Sequence, residues 1–307
     1  MSENAIEAVN LTKTFSGGKV AVSSLDLGIP KGTVYGLMGR NGSGKSTAIR
    51  LLLGLLKADS GSARILGHDL WQAPRPIRSR VGYVPQQPQL PGWMNLRDLS
   101  RYVSHLYPSW DQKLFETAAE RWDLPLLEPV GRMSIGEQRK SAVVLALAPE
   151  PEVLLLDEPT AGLDTIAKRA FVNLLVEMLA DRPSTTIVLS THEIGDLGRL
   201  ANVVGVMDRG RLVLSHEVEE LQQTMRKVQI IYPNDSDAQS LRLPGLIRQE
   251  TVGSVVTAVC RLANDQQLDF LRHEPGVRVE VFPMGIEDIF VEVFDSVEST
   301  LLQDARN

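Results

Sequence analysis

Residues 34–56 constrain the fold more than any other stretch. They run Val-Tyr-Gly-Leu-Met-Gly-Arg-Asn-Gly-Ser-Gly-Lys-Ser-Thr from Val34 to Thr47, then continue from Ala48 to Leu56. Gly39, Gly42, Gly44, Lys45 and Ser46 satisfy G-x-x-x-x-G-K-[ST], the phosphate-cradling P-loop pattern. Val34, Leu37 and Met38 form a short apolar run suited to a buried strand, and Ile49, Leu52, Leu53 and Leu56 recur at helical spacing behind the loop. Glycines let successive backbone N–H groups approach phosphate oxygens without a Cβ in the way. The helix behind them aims the positive end of its dipole at the same oxygens. Lys45 then supplies a point charge to the β- and γ-phosphates, and Ser46 offers its hydroxyl to Mg²⁺. A flexible glycine turn with a surface lysine is the plain rival, and a strand before plus a helix after weigh against it.

A chain of 307 residues allows one large domain or two. Its net charge of −6 argues against nucleic acid as the main partner, because such proteins carry a basic footprint. Arg75, Arg78 and Arg80 read as a solvated face. Cys260 is the only cysteine, so neither a disulfide within the chain nor a cysteine metal cluster is expected, which fits a reducing cytosol. The start lacks a basic segment followed by an apolar one, so no signal peptide is expected. No stretch approaches the ~18 apolar residues of a membrane span, Ser141 to Ala148 being the longest candidate. If the protein works at a membrane, another chain supplies the span.

Residues Ile6 to Val34 alternate apolar and polar positions and break at Ser16-Gly17-Gly18 and Pro30-Lys31-Gly32, which predicts short strands and turns. Phe15, just before the first turn, is either a core residue or a platform for a nucleotide base. Ile65 to Asp69 predicts a strand and turn, and Val81 to Val84 a strand ending at Pro85-Gln86. Between Pro88 and about Ala148 the pattern turns helical, with stripes at Leu96, Leu99, Tyr102 and Val103 and at Leu114, Phe115, Ala118 and Trp122. Ser134 and Glu137 have the spacing of a capping box. Val153 to Leu156 is a fully apolar strand ending in Asp157 and Glu158, as in a parallel sheet covered on both faces. Its carboxylates fall where open α/β sheets bind ligands. A helix through about Leu179, a strand at Thr186–Leu189 leading to Ser190-Thr191-His192-Glu193, and a hairpin around Asp208-Arg209-Gly210 follow. After about His216, strands at Arg226–Tyr232, Ser254–Arg261 and Val277–Phe282 and helices at Asn264–His273 and along Ile286, Ile289, Phe290, Val293 and Phe294 predict a small α+β domain. The tail from Glu298 is expected to fray.

Taken in order, these motifs resemble the ATP-binding subunit of an ABC transporter over about residues 3–216. The matches are Phe15 at the adenine-stacking position; Gly39, Arg40, Asn41, Gly42, Ser43, Gly44, Lys45, Ser46 and Thr47 in the P-loop; Gln86 in the Q-loop; Ser134, Ile135, Gly136 and Glu137 in the signature motif, with Gln138 behind it; Asp157 and Glu158; Asp164 in the D-loop; and His192 as the switch histidine. The resemblance implies an α/β P-loop NTPase with a mostly parallel core sheet, an N-terminal antiparallel β subdomain and a helical subdomain at about 88–150. Residues 1–216 would be the ATPase domain and 217–307 an accessory α+β domain. It also implies two subunits, as a homodimer or an ATPase heterodimer, closing head to tail over two ATP molecules and driving a membrane permease. Asp157, Ser46 and Gln86 would hold Mg²⁺, Glu158 would polarise the attacking water, and His192 would sense the γ-phosphate. Ser134 and Gly136 would reach the γ-phosphate of the opposite subunit, and Asp164 would cross the interface.

One departure stands out. The family signature is Leu-Ser-Gly-Gly-Gln, whereas this chain has Met133-Ser134-Ile135-Gly136-Glu137. Ile135 must avoid positive φ, which a β-branched residue tolerates badly, and Glu137 is expected to turn its charge away from the phosphate. The reading is therefore an ATPase subunit on the inner face of the membrane, serving an exporter of a drug, peptide or lipid-like compound. Two rivals stay open: a non-transport ABC ATPase acting on DNA or in translation, and an interaction module that ATP only regulates. The accessory domain is expected to support dimerisation.

Overall fold

The computed structural model describes residues 3–192, 200–234 and 243–292. It divides into two compact units, Met1–Ser215 and His216–Asn307. In the first, β1 (Asn4–Thr14), β2 (Val20–Pro30), β3 (Val34–Met38), α1 (Lys45–Leu52) and β4 (Ser60–Ile65) are followed by a short α2 (Arg75–Arg78) and β5 (Val81–Val84). Three helices come next, α3 (Leu96–Ser104), α4 (Gln112–Arg121) and α5 (Ile135–Leu147). Then come β6 (Val153–Asp157), α6 (Thr165–Asp181), β7 (Thr186–Thr191), β8 (Val203–Asp208) and β9 (Arg211–Glu217).

Two sheets result. A six-stranded sheet has the order β5-β6-β7-β3-β8-β9, and its pairings from β5 to β8 are parallel. Every residue of β3, β6 and β7 is buried, as expected of central parallel strands covered on both faces. An antiparallel sheet β2-β1-β4 lies beside it. One core joins the two: Ile6, Leu25 and Ile29 pack with Tyr35, Leu37, Ile49, Leu155 and Val188. Each such side chain contributes about 1.5–3 kcal/mol on burial, so the P-loop's strand and helix are anchored from two directions. In the helical segment, Leu96, Leu99, Phe115, Ala118 and Trp122 are buried, and Trp122 stacks on Phe171 with ring centres 6.3 Å apart. Asn95, Asp111, Ser134 and Asp164 cap α3, α4, α5 and α6 through their side chains.

Three local expectations are corrected. Helix α1 ends at Leu52 rather than Leu56, because Gly54 takes φ +63° and a Cβ there would lie 2.4 Å from the Trp71 nitrogen. Ile65 closes a strand rather than opening one: β4 covers Ser60–Ile65, and Leu66 and Gly67 form the turn at positive φ. Among the described strands it pairs with β1 alone, and it is mostly exposed, so its small polar residues give no apolar signal. Tyr102 lies 59% exposed, off the buried face that Leu96 and Leu99 define.

The second unit begins with α7 (Val218–Thr224), then β10 (Met225–Ile231), β11 (Leu246–Val252), β12 (Val255–Arg261), α8 (Asp269–Arg272) and β13 (Arg278–Pro283). Its antiparallel sheet has the order β11-β12-β10-β13. Val228, Ile230, Val256, Ala258 and Cys260 pack on one face against Leu268 and Leu271. The expected helix over Asn264–His273 is a 3₁₀ turn, Asp265–Leu268, running into α8. The sequence pattern missed β11, an edge strand with no buried residue, the single-turn α2 and the two-turn α7. Residues 286–292 are helical, with Ile289 and Phe290 buried. Val293, Phe294, the tail from Glu298 and Glu193 lie outside the described residues.

Candidate functional site

The parallel order β6-β7-β3 brings three strand ends together. Asp157 ends β6, Thr191 ends β7, and Met38 ends β3 and feeds the glycine loop. The loop needs its glycines. Gly44 sits at φ +108°, and a Cβ there would lie 2.3 Å from the Ala21 carbonyl oxygen. Gly39 and Gly42 also have positive φ. The loop stands open over a cavity of about 370 Å³ lined by Phe15, Lys19, Ala21, Gly42, Lys45 and Glu158, with Asn41, Gly44, Ser46, Thr47 and Gln86 completing the wall. That size lies within the range of small-ligand sites. Phe15 is 42% exposed, so it is a wall of this cavity and not a core phenylalanine.

At the cavity floor Lys45 is 5% exposed. Its Nζ donates to the carbonyl oxygens of Gly39 at 2.6 Å and Arg40 at 3.3 Å and stands 3.3 Å from Glu158 Oε1. The other Glu158 oxygen, Oε2, lies 2.7 Å from His192 Nδ1. Glu158 is thus a buried carboxylate held between a buried ammonium and a partly exposed imidazole. Its backbone has φ +50°, a conformation that costs a non-glycine residue about 1–3 kcal/mol and clusters at functional positions. The Ser190 carbonyl and hydroxyl both accept from the Glu158 N–H, at 3.1 and 3.0 Å.

Asp157 is fully buried. Its Oδ1 accepts from the hydroxyls of Ser46 at 2.9 Å and Ser190 at 2.8 Å, whereas Oδ2 is buried with no hydrogen-bond partner. An orphaned carboxylate oxygen beside a hydroxyl is costly in a sealed protein, and an all-oxygen donor set of this kind suits Mg²⁺. Ser43 is buried and its Oγ also has no partner.

Ser134, Ile135, Gly136 and Glu137 do not line the cavity of their own chain. They open α5, with a full capping box at Ser134. Ile135 begins the helix with no positive φ and is 76% exposed, so the β-branched side chain meets no backbone strain. Glu137 does not turn away, contrary to expectation. Its Oε2 accepts from both the N–H and the hydroxyl of Ser134, each at 2.7 Å. These Ser134 bonds, hydroxyl first and then N–H, hold its carboxyl below the usual range, and Lys140 adds a smaller effect. Asp164 caps α6, its Oδ1 accepting from the Ala167 N–H at 2.8 Å.

Several residues at or behind the site gave no motif signal: Lys19 and Ala21 at the cavity wall, Ser190 behind both carboxylates, and Arg139, which lies outside the cavity lining. Ser190 directly follows the apolar run Ile187–Leu189, and Arg139 stands beside Lys140 ahead of the apolar run Ala142–Ala148. Those positions are the only hints the sequence offers.

The comparisons fit this geometry. The ABC transporter family profile matches residues 22–161. The Nod factor export ATP-binding protein I of Sinorhizobium fredii is 33% identical over 95% of this chain and 86% of its own length. The daunorubicin/doxorubicin resistance ATP-binding protein of Streptomyces peucetius is 35% identical over 72% of this chain and 68% of its own. Among solved structures, an ATP-binding subunit of an ABC transporter matches with a TM-score of 0.64 at 24% identity, covering 71% of this chain and 92% of that one. A dimeric ATP-binding cassette in a post-hydrolysis state bound to ADP and Pi matches with a TM-score of 0.61 at 24% identity, over 69% of this chain and 98% of that one.

Proposed function

The chain belongs to the ATP-binding subunits of ABC transporters, and on that premise we propose that it hydrolyses ATP with Mg²⁺ in a site shared by two copies, driving export through a separate permease. ATP binding and hydrolysis belong to the family. The observation that carries the residue assignment is the buried set Lys45, Glu158 and Asp157 under an open glycine loop, with the partly exposed His192 on Glu158. Lys45 and the loop N–H groups bind the β- and γ-phosphates, and Phe15 stacks on the base. Ser46, Asp157 and Gln86 hold the metal, which when bound neutralises phosphate charge. Glu158 orients the attacking water and accepts its proton, with Ser190 fixing both carboxylates from behind. His192, hydrogen-bonded to Glu158 at 2.7 Å, would contact a bound γ-phosphate and report its presence.

Ser134 and Gly136 face another copy's γ-phosphate, because their own cavity does not use them, and Asp164 lies at the same interface. Phosphoryl transfer asks the protein mainly for positioning and charge stabilisation, so dividing the donors between two copies makes hydrolysis wait for closure. Two copies of this chain suffice for that arrangement. Among the described residues no helix is long and apolar enough to cross a membrane. In this reading the permease supplies the span and this chain works on its cytoplasmic face, as a family ATP-binding subunit. The relatives' names, Nod factor export and drug resistance, support outward transport of a lipid-like or drug-like compound. The helical segment between Gln86 and Tyr107 is the docking region for the permease.

Glu158→Gln tests the assignment. It keeps shape and burial but cannot take a proton. ATP binding should be retained and turnover should fall by about 10²–10⁴-fold, the range for loss of a general base. Unchanged turnover would remove Glu158 as the base and favour an ATP-regulated interaction module.

A further inference from the structure

Arg139 sits on the second turn behind Ser134 and is only 7% exposed. Its Nη2 donates to the Gln86 carbonyl at 2.7 Å. A Cβ at Gly162, in the loop between Glu158 and Asp164, would lie 3.6 Å from its Nη1. One guanidinium, carried by α5, therefore hydrogen-bonds the Gln86 turn and lies beside the loop behind Glu158. Close by, a Cβ on Gly136 would lie 3.7 Å from Leu163 Cδ2, so the start of α5 and that loop are packed together.

Stability alone does not account for this residue. Its Nε is buried with no hydrogen-bond partner, so the charged group gives up solvation there with no bond to replace it. An apolar side chain of similar volume would avoid that desolvation cost. What such a side chain lacks is a rigid, charged fork that can hold two backbone segments at once.

We propose that Arg139 is a positioning residue that ties the Gln86 turn and the Glu158–Asp164 loop to the helix carrying Ser134 and Gly136. A change at one copy's ATP site then moves the surface that this copy presents to its partner's ATP. This proposal rests on the opposed-signature reading above, and extends it by naming the link between the two halves of each copy.

The test uses the full-length chain in a Glu158→Gln background, which holds ATP unhydrolysed. ATP binding to the monomer is measured with a fluorescent nucleotide and ATP-driven dimerisation by sedimentation, with Arg139→Met and Arg139→Lys added in turn. The proposal expects monomer affinity within about twofold and dimerisation weakened about tenfold or more by methionine, in line with the up to 10²-fold cost of small misplacements at a distance. Lysine, which keeps charge and one donor, should recover part of the loss. If methionine prevents folding, lysine alone is decisive, with about threefold weakening expected. Dimerisation untouched by either substitution would overturn the proposal. A Glu158→Gln parent that never dimerises with ATP would instead sink the shared-site reading on which it rests.

Discussion

The units Met1–Ser215 and His216–Asn307 are built on different logics. In the first, the central strands are buried along their whole length, yet polar groups crowd at one end: Lys45, Asp157, Glu158, Thr191 and Ser190 are all buried. In the second, the buried set is almost wholly apolar, and its sheet alternates covered and open positions. Burying charge is expensive and keeps residue identities narrow, so the first unit announces its chemistry. A half-covered antiparallel sheet asks only for apolar residues at alternate positions, which many sequences satisfy. The likeness to solved cassettes covers about 70% of the chain, whereas the likeness to the Sinorhizobium fredii protein extends over 95%.

The contrast predicts that damage should stay on its own side. Lys45→Ala removes the buried cation beside Glu158 and should have the largest effect on ATP affinity. A hydrogen bond to a charged group is worth about 1.5–3 kcal/mol, so loss of the ammonium should lower ATP affinity by about one to two orders of magnitude, read by nucleotide titration. Leu271→Ala empties the second core and should destabilise that unit by about 2–5 kcal/mol. Cys260 reports on it without a label elsewhere: it is fully buried, and burial pushes its thiol up to about 11, so thiol reagents should reach it only when the unit opens. Leu271→Ala should speed that reaction by tenfold or more, on the order of the cited destabilisation, while ATP affinity stays within about twofold. A tenfold change in ATP affinity would break the comparison.

Smaller effects sharpen the first unit's own description. Ile135→Gly should change full-complex ATPase by less than about threefold, since Ile135 meets no strain at a first helical position. A gain of a hundredfold would mean that the native signature is degenerate. Glu137→Gln keeps the capping box, so stability should move by less than about 0.5 kcal/mol. Removing the carboxylate that holds the Ser134 hydroxyl should tighten ATP-driven dimerisation by about threefold, the scale of an exposed charge.

The legible parts of the sequence were those where chemistry or periodicity left little choice. The glycine loop, the all-apolar strand before Asp157 and the Ser134–Glu137 spacing each named an element and one of its ends. The strand β4 and the edge strand β11 were not legible, because exposed strands can be built from polar residues. Glu137 was misjudged for a different reason: the charge was weighed against a phosphate, and the nearer Ser134 N–H and hydroxyl were not. Ser190 and Arg139 act through contacts 32 and 53 residues away in sequence, and no local pattern encodes such a reach.

The central claim is that two copies complete each other's ATP sites. Specific ATPase activity of the full-length wild-type chain, measured across protein concentrations that span the monomer–dimer range, tests it most directly. Activity per chain should rise with concentration and level off as dimers dominate. A constant activity per chain, at full rate where sedimentation shows only monomer, would contradict it.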